Sequence, residues 1–381
     1  MIFAKRRFFI LKVICQKNEL ATALTSLCRI IPNRTNLPII NGCLCEAHDQ
    51  TLTLQCTDLE ITMKIIIPAQ VEEEGSTVVF ARYLSDLVKK LPGEEVVLSW
   101  NEEDSLLDIN YGASSSKLHT WRAADFPPSR EKPTERIVYF QGGLWKRITR
   151  KVLSAAAQQE ARINYAGVYV QFQEDSIRLA ATDAYRLAVI KIPNNSCIKD
   201  CDLFIPGNAL IEVNRLAADG DELEIAWDEG LICFTSQNFM LTSRLINSQF
   251  PNYEKVIPEQ PELTIEVDKN SLQTALERAS LFISPDEHYA IASLQIDNDL
   301  LTVKAQAVDV GSLKEEIALL SPVEGKCRVE FNAKYILEPI QVLDQEKVTI
   351  CFNGERGPAV YREENEDESY LHLVSPVCPV G

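Results

Sequence analysis

Three aspartates, Asp58, Asp183 and Asp309, follow one another about 125 residues apart, each closing an alternating stretch that ends in a turn. Brought together, three carboxylates could hold a divalent cation or exchange protons with a substrate. Equivalent positions in three separate domains lie far apart unless the domains converge, so a turn in which the Asp side chain bonds its own backbone is the simpler expectation. The four histidines, His48, His119, His288 and His372, are dispersed and suit surface or partly buried sites better than a metal or general-base role. The eleven cysteines are an odd number scattered along the chain. Cys43 and Cys45 share a strand face and Cys197 and Cys201 flank a short loop, but neither pair has a second pair or a His nearby. Reduced thiols are therefore expected, not a zinc site or a disulfide framework. The chain contains no GxxxxGK[ST], GxGxxG or GxSxG, so nothing marks a phosphate-cradling loop or a serine nucleophile. No catalytic residue, no metal and no cofactor is expected. The acidic run over residues 363–368 reads as a solvated loop.

Cations on helices are more informative. Lys146, Arg147, Arg150 and Lys151 stand three and four apart, which puts them on one helix face. Arg29 and Arg34 close the first helix of the chain, Arg82, Lys89 and Lys90 lie on the second, and Arg215 and Lys334 on later ones. A solvated face explains any single helix. Cations on five of six helices point to a shared electropositive surface, weaker toward the C-terminus, where Glu277 offsets Arg278 and Asp286 and Glu287 follow. The formal net charge of −17 opposes this, because a phosphate backbone requires cations.

The elements that carry these residues repeat three times. Phe80-Ala81-Arg82-Tyr83-Leu84, Ile205-Pro206-Gly207-Asn208-Ala209-Leu210 and Phe331-Asn332-Ala333-Lys334-Tyr335 each open a helix at the same interval of about 125 residues, one ordinary domain length. Each helix leads into an alternating strand: 95–100, 222–227 and 347–352. A strand (12–15, 137–140, 263–267) precedes a first helix anchored by Leu20, Leu144 or Leu272. The fold class is therefore α+β, three similar tandem domains with mostly antiparallel sheet. The Pro-rich stretches 126–133 and 258–261 mark the boundaries: an extension over 1–10, then domains over 11–133, 134–261 and 262–381. Lys5, Arg6 and Arg7 before Phe8 faintly suggest a leader, but Lys12 interrupts the apolar stretch, and an extension into the first strand is expected. No apolar run approaches the roughly 20 residues that span a bilayer.

Several segments resemble bacterial DNA sliding clamps, the beta subunits of DNA polymerase III. Thr35-Asn36-Leu37-Pro38-Ile39 resembles their "TLPIL", and Thr182-Asp183-Ala184-Tyr185-Arg186-Leu187-Ala188 their "TDGHRLA". Ser243-Arg244-Leu245-Ile246 with Phe250-Pro251-Asn252-Tyr253 and Val256-Ile257-Pro258 resembles "SKLVDGRFPDYRRVLP". Phe331-Asn332-Ala333-Lys334-Tyr335 resembles "FNVSY", and 371–377 the C-terminal "VVMPM". The likeness spans the chain from about Leu11 on.

The resemblance implies a non-catalytic processivity factor acting in the cytoplasm, away from membranes. Two chains would join head to tail in a ring, with helices lining the hole and sheets outside. An acidic exterior can coexist with a basic lining, because exposed charges are screened beyond a Debye length of roughly 8 Å. Sequence-independent contacts to duplex DNA would come from Arg34, Arg82, Lys146, Arg147, Arg150, Lys151, Gln159, Arg162 and Arg215. Ile163 and Asn164 stand where some members carry two tyrosines, which puts an aromatic contact to single strand in doubt there. A hydrophobic pocket for short motifs of polymerase, clamp loader and repair proteins would be built from Tyr165, Thr182, Ala184, Tyr185, Arg186, Leu187, Pro251, Val256, Leu373, Val374, Ser375, Pro376 and Val377. Two departures bear on it. Ser375 takes the place of a flexible Met, and Ala184 that of a Gly, so the backbone there must tolerate a Cβ. The chain also ends Cys378-Pro379-Val380-Gly381 instead of "RL". Leu118, Leu281 and Phe282 would centre the contact between the two chains, the alternative being that they are core. An enzyme of nucleic-acid metabolism would need a clustered catalytic set. An adaptor that never encloses DNA would need no convergence of its basic helices.

Overall fold

A computed structural model describes residues 10–102, 105–157, 163–284 and 289–377. The first repeat comprises β1 (Ile10–Gln16), α1 (Lys17–Leu27), β2 (Gly42–His48), β3 (Thr51–Thr57), β4 (Ile61–Glu73), β5 (Gly75–Phe80), α2 (Ala81–Lys90), β6 (Glu95–Asn101), β7 (Leu106–Tyr111) and β8 (Ser114–Arg122). The second comprises β9 (Arg136–Gln141), α3 (Gly142–Leu153), β10 (Gly167–Phe172), β11 (Ser176–Thr182), β12 (Arg186–Pro193), β13 (Cys201–Pro206), α4 (Gly207–Leu216), β14 (Glu222–Trp227), β15 (Leu231–Thr235) and β16 (Phe239–Arg244). The third comprises β17 (Leu263–Asp268), α5 (Lys269–Ala279), β18 (Ile291–Asp297), β19 (Leu300–Ala307), β20 (Gly311–Ala318), β21 (Lys326–Asn332), α6 (Ala333–Val342), β22 (Lys347–Phe352), β23 (Ala359–Glu364) and β24 (Ser369–Val374).

One spacing rule builds these helices. Buried residues recur at i, i+3, i+4 and i+7, which places them on a single stripe. They are Leu20, Ala23, Leu24 and Leu27 in α1; Ala81, Leu84, Ser85 and Val88 in α2; and Trp145, Ile148, Thr149 and Val152 in α3. Leu272, Ala275, Leu276 and Ala279 do the same in α5, and Ala333, Ile336, Leu337 and Ile340 in α6. Hydrogen bonds repeat as well. The first helix of each repeat starts on the carbonyl just ahead of a later strand: Lys17 N–H on Glu94 O at 2.7 Å, Gly142 N–H on Asp221 O at 2.8 Å, Lys269 N–H on Glu346 O at 2.8 Å. Lys17 and Lys269 also send Nζ to the carbonyls of Leu91 and Leu343, which end α2 and α6. At the middle repeat a Gly is required, since a Cβ on Gly142 would lie 2.2 Å from Ala218 O.

Every strand pairing is antiparallel, and the sheets continue from one repeat into the next. A twelve-stranded sheet runs β1-β6-β7-β8-β5-β2-β3-β4-β16-β15-β14-β9, crossing from repeat one to repeat two where β4 meets β16 (Ile61 opposite Ser243, Ile65 opposite Phe239). An eight-stranded sheet runs β13-β10-β11-β12-β24-β23-β22-β17, crossing from repeat two to repeat three where β12 meets β24 (Arg186 opposite Val374, Lys191 opposite Ser369). A four-stranded sheet runs β20-β19-β18-β21. Because sheets cross the repeat boundaries, the compact units number two. One holds the chain up to Gly143 with Arg215–Leu245; the other holds Leu144–Asn214 and the chain from Ile246 on. The middle repeat gives one sheet to each. Among the described residues no helix is long and apolar enough to cross a membrane.

Several expectations need adjustment. Arg29 and Arg34 do not lie on α1, which ends at Leu27; they stand in the segment that follows. Arg278 pairs chiefly with Glu315 on β20 at 2.5 Å, the Glu277 charge adding a smaller share. The extension over residues 1–9, Gln159, Arg162, Asp286, Glu287, His288 and the terminal 378–381 lie outside the described residues.

Candidate nucleic-acid and peptide interfaces

The aspartates form turns, and two of the three match atom for atom. Asp58 Oδ1 accepts the N–H groups of Glu60 and Ile61 at 2.9 and 2.6 Å. Asp183 Oδ1 accepts those of Tyr185 and Arg186 at 2.9 and 3.1 Å. The preceding Thr57 and Thr182 hydroxyls accept from Leu59 and Ala184, two residues on. This clamped turn puts Leu59 at φ +80° and Ala184 at φ +78°, a conformation in which a Cβ crowds the following carbonyl. The third repeat departs. Ala307 pairs with Gly311 across a connection one residue shorter, where the others pair Thr57 with Thr62 and Thr182 with Leu187, and Gly311 takes φ +135°. Relief of the left-handed strain outweighs the extra freedom glycine gives the unfolded chain. Ala184→Gly is therefore expected to stabilise the protein by about 0.5–1 kcal/mol, read as a higher urea midpoint; a lower midpoint would mean that the Cβ packs favourably.

The Ala184 turn sits at the β12–β24 crossing, where most of the predicted pocket residues meet. Leu187 faces Leu373 across the crossing. Both are buried in a cluster with Ala180, Phe204, Phe250, Tyr253, Cys351 and Val360. Phe250 stacks on Tyr169 with ring centroids 5.0 Å apart and meets Phe204 edge-on at 5.3 Å. Phe250 also floors an open cleft of about 360 Å³ walled by Tyr165 and Pro251 together with Asn164, Gln249 and Asn252. Tyr165 and Pro251 were legible from the sequence. Phe250 and Asn252 stand in a segment resembling the family's but were not assigned to the pocket, Asn164 is notable in the sequence only for standing where some members carry a tyrosine, and Gln249 carried no signal.

On the other side of the turn Arg186 is buried. Its Nε donates to Asp183 Oδ2 at 3.1 Å, its guanidinium pairs with Glu338 of α6, and its Cζ stands 4.1 Å from the Tyr335 ring centre. In the sequence Tyr335 stands out only within the segment that opens α6, with no sign that its ring would stand against this guanidinium. The chain leaving β24 runs alongside: Ser375 N–H donates to Tyr185 O and Val377 N–H to Glu330 O, both at 2.8 Å. Tyr185 and Val256 are exposed, and Val374 is buried opposite Arg186. Ser375 and Pro376 are half-buried.

The basic stripe on α3 does not survive. Lys151 is 1% exposed, and its Nζ lies 2.6 Å from Glu363, 2.7 Å from Glu368 and 2.8 Å from Asp344. Arg147 pairs with Glu368 as well. Burial disfavours the ammonium, but the carboxylates outweigh it and hold its pKa above the ordinary value. Lys151 is therefore no phosphate contact, and the 363–368 run is no simple solvated loop. Glu363 also accepts the backbone N–H groups of Asp344 and Gln345 at 2.8 and 2.9 Å. Of the predicted cations, Arg34, Arg82, Arg150 and Arg215 are exposed, and Lys146 is half-buried. Arg82 donates to Ile31 O and Asn33 Oδ1, both at 3.0 Å, and so braces the loop that carries Arg34.

Next to this hub lies His372, fully buried on β24. The Tyr370 hydroxyl donates to Lys151 O at 3.2 Å and lies 2.9 Å from His372 Nδ1. Both contacts are satisfied when the neutral ring carries its proton on Nδ1. Burial, with the Arg186 charge adding to it, pushes the imidazole from 6.5 down to about 3. Between those values the unfolded chain binds a proton that the folded chain refuses. Stability then falls as pH drops below 6.5, by up to about 1.4 kcal/mol per unit. His372→Gln should flatten the acid limb of urea-unfolding stability between pH 6 and 4; an unchanged slope would show that the ring already protonates in the folded protein.

The residues predicted for the contact between chains are not core. Leu281, just past α5, is 73% exposed, Ile283 is 39% exposed, and Phe282 is half-buried. Val308 and Val310, in the β19–β20 turn, are 88% and 57% exposed, and a Cβ on Gly311 would touch Phe282 at 4.0 Å. Leu118 is half-buried on β8. The outer edge of β20 carries no strand among the described residues. β8 pairs with β7 and, over only three residues, with β5.

Three like-folded repeats, joined by sheets that run on between them and carrying a cleft and exposed helical cations, define a repeat-built binding scaffold. Three models of the DNA polymerase III beta subunit match in succession: N-terminal domain over 11–130, central domain over 141–252 and C-terminal domain over 254–377. The beta sliding clamp of Staphylococcus epidermidis is 29% identical over 363 residues, covering 93% of this chain and 96% of its own. That of Staphylococcus aureus is 28% identical over 371 residues, covering 95% and 98%. A crystal structure of the sliding clamp from Pseudomonas aeruginosa bound to griselimycin superimposes with TM-score 0.86 at 26% identity, over 97% of this chain and 99% of that one. The clamp from Bacillus subtilis shares the fold at TM-score 0.88 and 24% identity, with 97% and 99% covered. The chain belongs to the DNA polymerase III beta subunit family, the beta sliding clamps. It is a non-catalytic processivity factor of DNA replication.

Proposed function

We propose that two copies of this chain close head to tail into a ring that encircles duplex DNA in the cytoplasm and tethers replication and repair proteins through the cleft beside Phe250. The arrangement of sheet crossings supports this most directly. By element order, β4, β12 and β20 are equivalent, as are β8, β16 and β24. β4 receives β16, and β12 receives β24. β20 and β8 are the remaining members of each set. A second copy supplies the missing partner to each, and the same rule applied twice closes the assembly and leaves no open end. The exposed Leu281, Val308 and Val310 lie around the end of the third domain where that contact would form. The three domains are those over 11–133, 134–261 and 262–381.

Arg34, Arg82, Lys146, Arg150 and Arg215, with Gln159 and Arg162, would touch phosphates weakly and without regard to sequence, so that topology holds the ring on DNA and it slides. Arg147, tied to Glu368, would contribute less. Peptide motifs of the polymerase, the clamp loader and repair proteins would seat an apolar side chain over Phe250, between Tyr165 and Pro251. Tyr185, Arg186, Val256 and the strand leaving Val374 would form the rest of the groove. Sedimentation should give a mass near twice the 42.8 kDa of one chain, and the protein should stay on nicked circular DNA but run off the linear form. A persistent monomer at micromolar concentration, or equal retention on both DNAs, would defeat the proposal.

A further inference from the structure

We propose that Tyr83 stacks on unpaired bases, which gives the α2 surface a grip on single-stranded DNA that its charges alone do not supply. The proposal rests on the reading of the chain as a DNA clamp. Tyr83 is 68% exposed, so its ring contributes little to the core. It is nonetheless held in place: it meets Phe80 edge-to-face with centroids 5.8 Å apart and planes at 84°, and Phe80 rests on Trp121 at 4.3 Å.

Its surroundings are cationic. The exposed residues of α2 are Arg82, Tyr83, Asp86, Lys89 and Lys90. Positions seven apart share a helix face, so Lys89 lies two turns along from Arg82 and Lys90 two turns along from Tyr83. Asp86 is the one acidic residue of that face. Other exposed tyrosines lack this setting. The Tyr139 hydroxyl donates to the Glu224 carboxylate, Tyr185 lies at the cleft turn and Tyr289 just ahead of β18, and none of the three is on a helix. An aromatic ring between cations that track a backbone is how proteins hold single strands without reading sequence. In a duplex the bases are paired and stacked and offer no open face, so the same helix would touch duplex through Arg82 and the lysines alone. Tyr83 therefore favours the place where duplex gives way to single strand.

The test compares two labelled hairpins by fluorescence anisotropy on the full chain at low salt. One is blunt, and the other carries a tail of about ten thymidines. The unaltered protein should bind the tailed hairpin more tightly. Tyr83→Ala should weaken that binding about five- to tenfold while leaving the blunt hairpin and the slope of affinity against salt as they were, because no phosphate contact is lost. Tyr83→Phe, which keeps the ring, should restore the preference. Arg82→Ala should instead lower the salt slope on both hairpins. Equal loss on both hairpins after Tyr83→Ala, or no loss on either, overturns the stacking role and leaves the clamp reading in place. If the unaltered protein binds neither hairpin, or binds both equally, the stacking role is overturned, while the clamp reading, which rests on enclosure, stands or falls on retention by circular against linear DNA.

Discussion

Lys151→Met is expected to cost about 3–5 kcal/mol of stability, far more than a lysine on a solvated helix would. The ammonium is the shared partner of Glu363 and Glu368, which are 2% and 1% exposed, and of Asp344, which is 58% exposed. Without it, two buried carboxylates face each other with Arg147 alone to offset them. Two like charges at such range cannot both stay ionised cheaply, so the variant should take up a proton on folding. Its deficit should then shrink as pH falls toward 5, because the folded variant binds more protons there than its unfolded chain does. Adding Glu363→Gln and Glu368→Gln to Lys151→Met should recover much of the loss, since a neutral hydrogen-bonded cluster carries no buried unpaired charge. Urea unfolding of the three proteins at pH 7.5 and about pH 5 decides the matter. A Lys151→Met variant within about 0.5 kcal/mol of the parent at both would mean the cluster is not dry.

That hub also shows where the sequence stops being legible. Lys151 and Glu363 are 212 residues apart, and each looks like a surface residue by type, because paired burial is what makes a charged side chain an exception. Read alone, Lys151 completed a basic stripe and 363–368 was a solvated loop; only the tertiary contact joins them. What local pattern controls could be read. The helix stripes, the strands at 222–227 and 347–352 and the Asp58 and Asp183 turns all follow from periodicity or from a side chain bonding its own backbone. The short third turn was not visible, because the Asp309 spacing matches the others while the pairing of Ala307 with Gly311 removes one residue from the loop. Nor could periodicity reveal that the sheets run on from repeat to repeat, since a strand's neighbour across a crossing leaves no trace in its own alternation. The cleft was half legible: Tyr165 and Pro251 came from motif position. Phe250 and Tyr335 look like ordinary core aromatics until the cavity and the Arg186 guanidinium are seen beside them.

Leu281→Asp is expected to raise the dimer dissociation constant by a factor of about 30 or more, in line with the roughly 2 kcal/mol that a central apolar anchor contributes to an interface. At 73% exposure the side chain has little to lose within its own chain, so the fold should be untouched and the thermal midpoint nearly unchanged. Phe282→Asp should act in the same direction, but Phe282 is half-buried, so its variant also tests the local packing of its own chain. The β20 edge exposed in the monomer carries Lys314, Glu315 and Glu316, charges that discourage edge-to-edge aggregation. Soluble monomers are therefore the expected product. They should lose retention on circular DNA while still binding a partner peptide, because the cleft around Phe250 is built within a single chain. Loss of both functions together would mean that the substitution disturbs the fold. Retention on circular DNA by a proven monomer would mean that enclosure is not what holds this protein on DNA.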